Sequence, residues 1–346
     1  MANAGNKPLL STLLGKRQSK PPIWFMRQAG RHLPEYLEIR DKAKDFLDFC
    51  YSPSLATEAT LQPIRRYGMD GAILFADILL ILDAMGREVR FEKGVGPLVE
   101  QINSPKDLSL IPDTQVADRL APVYETVSRV KANLPDETTL IGFAGSAWTV
   151  ALYALEGRGK TDKSLARSWA HGRADELQDV LNLIADASAY YLERQVKAGA
   201  DALMLFDSWA EGLPNDIFSE IIIAPTKRLV EKLRGLGVTV PIIGFPRGAG
   251  AMLPEYVKQT GVDAVGLDTS AVPEFINSAL PKDFPVQGHL DPLLLIEGGK
   301  RLDNRVESLV SAYENRPHIF NLGHGVTPQT PIKHVERVLD IVRGKT

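Results

Sequence analysis

The sequence predicts an α/β protein built as a single-domain (β/α)8 barrel, or TIM barrel, with insertions at the barrel rim. Short apolar runs recur along the chain, each long enough for one buried strand, and amphipathic stretches with helical spacing separate them. Polar side chains follow the ends of most of these runs, where barrel enzymes build their active sites. A doubly wound open sheet is the alternative, because it has the same alternation of strands and helices.

Eight apolar runs are the predicted strands of this barrel. The first run follows two prolines and stops abruptly at Arg27, so the sequence marks both of its ends. The eight runs are residues 23–26, 71–75, 139–143, 202–206, 240–245, 264–267, 285–288 and 318–322.

Helical patterns lie between these runs. In residues 178–197, apolar side chains recur at helical spacing from Val180 to Tyr191. Residues 217–234 and 333–343 have a similar pattern. We therefore expect each strand to be followed by a helix that covers the outside of the sheet.

Two segments are longer than a plain strand–helix unit requires. Residues 86–100 alternate like a hairpin that turns near Lys93, and residues 148–179 are long and polar. Both are predicted to be insertions at the rim. The chain begins with a polar lead-in at residues 1–20, with a short predicted helix at residues 9–14. Because no repeat, low-complexity tract or linker divides the sequence, one domain spanning all 346 residues is predicted.

Composition narrows the class of protein. The chain is 44% hydrophobic and 24% charged, which is ordinary for a globular domain, and its formal net charge is −3. We expect no nucleic-acid partner, because there is no basic excess. Cys50 is the single cysteine, so a disulfide within the chain and a multi-cysteine zinc site are both excluded. A single cysteine also fits a reducing compartment.

We expect no membrane partner and a cytoplasmic location. The first eight residues lack the apolar core of a signal peptide. The longest apolar stretch, residues 71–85, is interrupted by Asp77 and Asp83 and is too short to span a bilayer.

A cluster of basic residues follows the first predicted strand. Arg27 ends the strand, and Arg31, His32 and Arg40 follow around a glycine. Guanidinium groups so close in sequence repel one another, so each must be solvated or must meet an anion. Their rigid forks of N–H donors suit carboxylate or phosphate groups. A solvated basic turn is the alternative.

Asp77 interrupts an apolar run at the end of the second predicted strand. A carboxylate with apolar neighbours on both sides is costly to bury unless it has a partner. It could cap a helix or pair with an arginine. It could also accept hydrogen bonds from the N–H groups of a ligand, or stabilise a positive charge.

Further polar residues follow the other strands. His324 has glycines on both sides, and its imidazole could act as a general acid or base, hold a carboxylate, or simply pack. Tyr153 follows a strand end, although a half-buried helix tyrosine is its plainer interpretation. No pair of histidines has metal-ligand spacing, so no metal is predicted. The other residues at strand ends are Ser146, Asp207, Ser208, Arg247, Asp268, His289 and Asp291.

Six short motifs connect these residues to a known family. They are Met-Arg-Gln-Ala-Gly-Arg at 26–31, Leu-Phe-Ala-Asp-Ile at 74–78, Gly-Ser-Ala-Trp-Thr at 145–149, Phe-Asp-Ser-Trp-Ala at 206–210, Gly-Leu-Asp at 266–268 and Asn-Leu-Gly-His-Gly at 321–325. Together they resemble the uroporphyrinogen decarboxylase family over nearly the whole chain. The first and last motifs, in this order, are the most specific.

The resemblance implies a (β/α)8 barrel that forms a homodimer and needs no metal or organic cofactor. It implies removal of carbon dioxide from the four acetate side chains of uroporphyrinogen III, giving coproporphyrinogen III on the route to haem and related tetrapyrroles. Asp77, Arg27, Tyr153 and His324 are then the candidate catalytic residues. The substrate-binding positions of the family fall on Arg27, Gln28, Arg31, Arg40, Asp77, Tyr153, Ser208 and His324.

The chemistry implied by the resemblance fits the residues. A substrate with eight carboxylates needs a local arginine cluster on a protein of net charge −3. Four pyrrole N–H groups can converge on Asp77, which would also stabilise the cation formed when a pyrrole carbon is protonated. The sequence leaves the proton donor open among Arg27, Tyr153 and His324.

The sequence departs from the family pattern at three positions. His32 stands where a tyrosine is common, Glu211 where glycine is usual, and His289 where asparagine is frequent.

Two rival functions remain open from the sequence. One rival is a zinc-dependent methyltransferase of the same superfamily that acts on corrinoid-bound methyl groups, and it would need a His/Cys ligand set. The other is a non-catalytic tetrapyrrole carrier.

Overall fold

A parallel β-sheet forms the centre of the computed structural model, which describes residues 6–92, 94–108, 113–159 and 162–345. Within this part of the chain the sheet has seven strands, and a separate two-stranded hairpin accompanies it. The strands are β1 (Gly71–Ile73), β2 (Val89–Glu92), β3 (Gly96–Val99), β4 (Thr139–Gly145), β5 (Ala202–Asp207), β6 (Ile242–Pro246), β7 (Ala264–Gly266), β8 (Val286–Leu290) and β9 (His318–Leu322).

Helices connect the strands and cover the sheet. They are α1 (Pro8–Leu13), α2 (Pro34–Arg40), α3 (Phe46–Cys50), α4 (Pro53–Tyr67), α5 (Leu80–Ala84), α6 (Asp113–Arg119), α7 (Ala121–Asn133), α8 (Ala147–Glu156), α9 (Ser164–Gly172), α10 (Ala174–Ala198), α11 (Asn215–Phe218), α12 (Ala224–Gly235), α13 (Leu253–Thr260), α14 (Pro273–Ala279), α15 (Pro292–Glu297), α16 (Gly299–Ala312) and α17 (Ile332–Arg343). Two 3-10 turns, Pro105–Asp107 and Gly250–Met252, and a π-helical turn, Ser219–Ile223, complete the set. Among the described residues, no helix is long and apolar enough to cross a membrane.

The strand order of the sheet follows the chain order, β1-β4-β5-β6-β7-β8-β9, and every pair is parallel. Parallel neighbours need a crossover, which the helices supply, and such strands are buried on both faces. This is why they appear in the sequence as short continuous apolar runs. A doubly wound sheet reverses its order at a switch point, and no reversal occurs in this sheet.

Seven of the eight predicted strands are confirmed, and the first is wrong as a regular strand. Ile23 makes a single parallel bridge to Phe320 of β9. On that side, the N–H of Phe320 donates to Pro22 O at 2.8 Å, and the N–H of Trp24 donates to Phe320 O at 3.3 Å. On the other side, the Asp70 N–H donates to Ile23 O at 2.9 Å. The segment therefore contacts both edge strands of the sheet, although it is not a strand itself.

The predicted hairpin and helices are also found, whereas the position of residues 86–100 and 148–179 at a barrel rim stays a prediction. β2 and β3 pair antiparallel, as the hairpin prediction requires, whereas its predicted turn residue Lys93 lies outside the described residues. The described residues of segment 148–179 form most of α8, all of α9 and the start of α10, and residues 160–161 lie outside the described part. The predicted helices at residues 178–197, 333–343 and 9–14 correspond to α10, α17 and α1. Residues 217–234 form one helical stretch that includes the π-helical turn between α11 and α12.

A glutamine from α10 completes the hydrogen bonding of β4. Because β1 ends at Ile73, the backbone of Phe143 has no strand partner on that side. Gln195 supplies both partners, since its Oε1 accepts from the Phe143 N–H at 2.9 Å and its Nε2 donates to Phe143 O at 3.0 Å. Gly142 permits this approach, because a Cβ there would lie 2.5 Å from Gln195 Oε1.

We predict that Gln195→Leu lowers the free energy of unfolding by about 2–4 kcal/mol, since it leaves one buried donor and one buried acceptor unpaired. Urea denaturation measures the change. Gln259→Leu is the matched control, because Gln259 is exposed on α13 and should change stability by less than about 0.5 kcal/mol. Equal unfolding midpoints for the two variants would contradict the role of Gln195.

Candidate active site

Polar side chains gather at the carboxyl ends of the strands, on one edge of the sheet. Asp77 follows β1, and Ser208 and Arg247 directly follow β5 and β6. Tyr153 lies on α8 after β4, and His324 follows β9. Because all strands of the sheet run in the same direction, these residues lie at the same end of the molecule, where α/β enzymes place their sites.

The turn at residues 26–28, named here the Arg27 turn, is held against β9 by hydrogen bonds. Asn321 Oδ1 accepts the N–H of Met26 at 3.0 Å, and the N–H of Val326 donates to Met26 O at 2.8 Å. Arg27 itself has a φ of 60°, which is strained for a residue with a side chain. Its side chain runs across Gly325, where any Cβ would overlap it. The turn thereby places the exposed Arg27 guanidinium beside the loop that carries His324.

The Gln28 side chain bonds to backbone atoms of the protein. It is 1% exposed, its Oε1 accepts from the Phe25 N–H at 3.0 Å, and its Nε2 donates to Gly71 O at 2.9 Å. The side chain therefore ties the Arg27 turn to the start of β1, on the protein side of the turn. The substrate contact that the resemblance implies for Gln28 stays a prediction.

Asp77 is half-buried, with one oxygen engaged and one open. Oδ1 accepts the N–H of Leu79 at 2.9 Å, so the capping interpretation is confirmed for that oxygen. Oδ2 has no hydrogen-bond partner among the described residues. Burial raises the pKa of the Asp77 carboxyl, while the Leu79 N–H and the positive charge of Arg27 oppose this rise. The carboxylate is thus deep in the protein, next to a cation, and still accessible to a ligand.

Tyr153 and His324 both lie close enough to Arg27 for its charge to lower their pKa values. Burial raises the pKa of the Tyr153 phenol, with a further rise from Asp77 and a reduction from Arg27. Burial, helped by the charges of Arg27 and Arg247 and opposed by Glu211, lowers the pKa of His324 to about 4. The His324 imidazole is therefore neutral near pH 7. Four predicted catalytic residues, Arg27, Asp77, Tyr153 and His324, form one cluster.

Ser208 lies beside two residues that the site prediction did not include. Arg247 donates from Nη1 to Ser208 O at 3.2 Å. Asp207 is 1% exposed and accepts the Thr149 hydroxyl on Oδ1 at 2.6 Å, whereas its Oδ2 has no partner. Burial raises the pKa of Asp207 to about 7, against the Thr149 hydrogen bond. Both residues had been noted at strand ends, but nothing in the sequence separated them from helix caps.

Arg31 and Arg40 carry charge without a carboxylate partner in the described part of the chain. Arg31 is exposed, and the half-buried Arg40 guanidinium lies 5.8 Å from the ring centroid of Phe46 and 5.8 Å from that of Phe49. Burial raises the pKa of Tyr36 to about 12, and both arginines lower it in part, so they lie near this phenol. Such unpaired cations are suited to bind anions.

Metal-ligating side chains and one cavity are two further features that bear on ligand binding. Among the described residues, no group of three or more His, Cys, Asp or Glu side chains could hold a metal ion. Cys50 is buried, and burial raises the pKa of its thiol. A cavity of about 450 Å³ lies beside His289, Arg301 and Arg305, and no predicted site residue lines it.

The family profile described as "Uroporphyrinogen decarboxylase (URO-D)" matches residues 4–344. The chain belongs to the uroporphyrinogen decarboxylase family. A protein of that name from Hyphomonas neptunium is 73% identical over 338 residues, which cover 98% of each chain. Another of that name from Maricaulis maris is 50% identical over 346 residues, covering 100% of each. The sequence resemblance is thereby confirmed, together with the reading of the chain as a decarboxylase.

A solved methyltransferase from Methanosarcina mazei has a similar fold. It superposes with a TM-score of 0.81 over 98% of both chains, at 16% sequence identity. At this identity the likeness concerns the fold alone. The same scaffold can carry different chemistries, so the residues of the site decide the function.

We predict that Arg27→Gln raises the pKa values of both His324 and Asp77, because the positive charge of Arg27 lowers both. The pKa of His324 should therefore move up from about 4. An NMR titration of labelled histidine measures this shift. Arg31→Gln is the control and should leave His324 unchanged. A His324 pKa that stays constant in Arg27→Gln would mean that the two groups are not coupled.

Proposed function

We propose that this chain removes carbon dioxide from the four acetate side chains of uroporphyrinogen III and releases coproporphyrinogen III, a step in the synthesis of haem and related tetrapyrroles. The observation that carries the proposal is the open oxygen of Asp77, which lies deep in the site with Arg27 beside it. Membership of the family supplies the substrate. A homodimer in the cytoplasm that needs no metal or organic cofactor is part of the same proposal.

The scaffold for this chemistry is proposed to be a closed (β/α)8 barrel. An eight-stranded barrel needs one strand more than this seven-stranded sheet has. The segment around Ile23 contacts both edges of the sheet. In this proposal the segment takes the eighth place, although it makes one bridge only. A closed barrel would place Arg27, at the end of that segment, between Asp77 after β1 and His324 after β9.

The basic residues near this turn bind the carboxylates of the substrate. Arg27, Arg31 and Arg40 have no carboxylate partner among the described residues, so their donors are available for an anion. A charge-assisted bond from guanidinium to carboxylate is about twice as strong as a neutral hydrogen bond. Ser208 and the neutral imidazole of His324 would orient further carboxylates, because both can donate a hydrogen bond.

Asp77 is the electrostatic centre of the proposed mechanism. Its open oxygen accepts the converging pyrrole N–H groups of the folded macrocycle. A proton adds to the pyrrole α-carbon next to the carbon that bears an acetate arm, and the ring becomes cationic. The bond from the CH2 group to the carboxylate then breaks, carbon dioxide leaves, and the electron pair neutralises the ring. A proton added to the resulting methylene carbon and one lost from the ring carbon complete the methyl group.

The negative charge of Asp77 stabilises the cationic ring at its highest energy. In a site with little water, a fixed charge of this kind needs no reorganisation during the reaction, and it contributes strongly to catalysis. The Leu79 N–H and the charge of Arg27 favour the ionised form of Asp77, since both oppose the rise of its pKa that burial causes. We assign His324 to carboxylate orientation rather than proton transfer, because a pKa of about 4 leaves few protonated molecules near pH 7.

One experiment tests the proposed function and the tetrapyrrole-carrier alternative together. The pure protein is incubated with uroporphyrinogen III without oxygen, and the hepta- to tetracarboxylate products are separated by chromatography. Catalysis predicts that coproporphyrinogen III accumulates and that carbon dioxide is released. A carrier would bind the macrocycle and leave all eight carboxylates in place, which would refute the proposal.

We predict that Asp77→Asn lowers turnover by at least about 100-fold, in the range measured for loss of one preorganised electrostatic contact. Asp77→Glu keeps the charge but extends it by one methylene, so its turnover should lie between wild type and Asn. Steady-state kinetics on variants with unchanged circular dichroism gives the order. Wild-type turnover in Asp77→Asn would reduce the carboxylate to the cap of Leu79 and end this mechanism.

We predict that Arg31→Ala raises KM for uroporphyrinogen about ten- to one-hundred-fold, because a hydrogen bond to a charged group contributes about 1.5–3 kcal/mol. Arg90→Ala is the control, since Arg90 is an exposed arginine on the β2–β3 hairpin with its own glutamate partners. A KM for Arg31→Ala equal to that of Arg90→Ala would remove Arg31 from the substrate site.

A further inference from the structure

Glu211 is surrounded by three cations at the side of the candidate active site. Its Oε1 lies 2.8 Å from Lys163 Nζ, and its Oε2 lies 3.6 Å from Arg247 Nη1. Arg167 donates from Nη2 to the backbone oxygen of Glu211 at 2.8 Å. Two cations, Lys163 and Arg247, therefore face the carboxylate, whereas Arg167 contacts only the backbone oxygen.

This group borders the residues of the proposed substrate cleft. Lys163 Nζ lies 4.0 Å from the centroid of the Trp209 ring, and that ring lies 6.4 Å from the ring of Tyr153. Arg247 bonds the backbone oxygen of Ser208. Arg247 also lowers the pKa of His324, whereas Glu211 opposes this effect. The cations are thus positioned to meet a carboxylate of a ligand that contacts Tyr153 and His324.

Glu211 has a fixed backbone, and its two carboxylate oxygens are held unequally. The Arg167 bond holds its carbonyl, and Gly248, with a φ of 80°, packs so closely that a Cβ there would overlap the Glu211 Cβ. Oε1 accepts a hydrogen bond from Lys163 at 2.8 Å, whereas the buried Oε2 has no hydrogen-bond partner among the described residues and lies 3.6 Å from Arg247. The contact with Arg247 is therefore the weaker of the two, and a ligand carboxylate can replace it while the main chain stays in place.

We propose that Lys163 and Arg247 form a second carboxylate-binding subsite, which Glu211 occupies in the free protein and which a carboxylate of the substrate takes over on binding. The ligand class is a polycarboxylate tetrapyrrole, so the proposal rests on the proposed function. Glu211 competes with the substrate for the same two cations and thereby sets how tightly the most highly charged tetrapyrrole binds.

Glu211→Gln tests this competition, because it keeps the shape of the side chain and removes its charge. We expect KM for uroporphyrinogen to fall about two- to five-fold, the range that corresponds to loss of one partly exposed ion pair. The change in kcat should be smaller. The gain should shrink in about 1 M salt, where the screening length falls to about 3 Å.

Two further variants complete the design. Lys163→Gln should raise KM, and Glu211→Gln added to it should bring a smaller gain than in the wild-type background, since one of the two cations is already gone. Glu231→Gln is the matched control for removing a negative charge, because Glu231 lies on α12 and pairs with Lys227 at 3.8 Å. It should leave KM unchanged.

A raised KM in Glu211→Gln would make Glu211 a structural brace, and a KM equal to that of Glu231→Gln would exclude competition; either result overturns the proposal. Thermal unfolding checks that the variants are folded, and Glu211→Ala replaces Glu211→Gln if the latter is unstable. If the wild type releases no carbon dioxide, the proposed function fails by itself. The subsite is then tested by equilibrium binding of uroporphyrinogen to the same variants under nitrogen, where tighter binding to Glu211→Gln is the expected result.

Discussion

The arrangement of the site depends on how the segment from Pro22 to Gln28 is held between the two edges of the sheet. Backbone bonds alone do not hold it, because proline lacks the N–H that a strand would donate. Side chains supply the missing partners. The Asp70 carboxylate accepts the N–H of Ile23 at 2.8 Å, and Gln287 accepts the indole N–H of Trp24 at 2.8 Å. Each of these groups is buried or half-buried, so leaving one unpaired would cost about 1–3 kcal/mol.

The way in which this segment is held explains why the fold was predicted better than the details of the site. Strands such as β5 are buried on both faces and therefore appear as apolar runs, so residues 202–206 were assigned almost as observed. The first segment has the same apolar run, but side chains from distant positions hold it. Residues far apart in sequence, such as Asn321 and Met26, meet only in the folded chain. The bond from the Gln28 side chain to Gly71 could not be predicted for the same reason, since the two residues are far apart in sequence.

Two carboxylates, Asp77 after β1 and Asp207 at the end of β5, show which properties of a side chain the local sequence can predict and which it cannot. Asp77 attracts attention because it interrupts an apolar run, and its role in the proposed function rests on its open oxygen and on the nearby charge of Arg27. Asp207 lies in an equally apolar setting, and burial raises its pKa to about 7. It is thus partly protonated near neutral pH and is poorly suited to stabilise a cation. The Leu79 N–H and Arg27 oppose the rise at Asp77, and Arg27 comes from another part of the chain, so its effect could not be predicted from the residues around Asp77.

The distribution of charge connects binding to release. The chain has a net charge of −3, so a highly anionic ligand is repelled at long range, and salt screens that repulsion over about 8–10 Å. In the proposed function, Arg31 and Arg40 act on the ligand inside this distance, since their guanidinium groups have no carboxylate partner among the described residues. In the proposed reaction each decarboxylation removes one negative charge from the ligand, so its attraction to these arginines weakens from eight carboxylates to four. The same cations that bind the substrate therefore hold the product less tightly, and the reaction itself lowers the barrier to release.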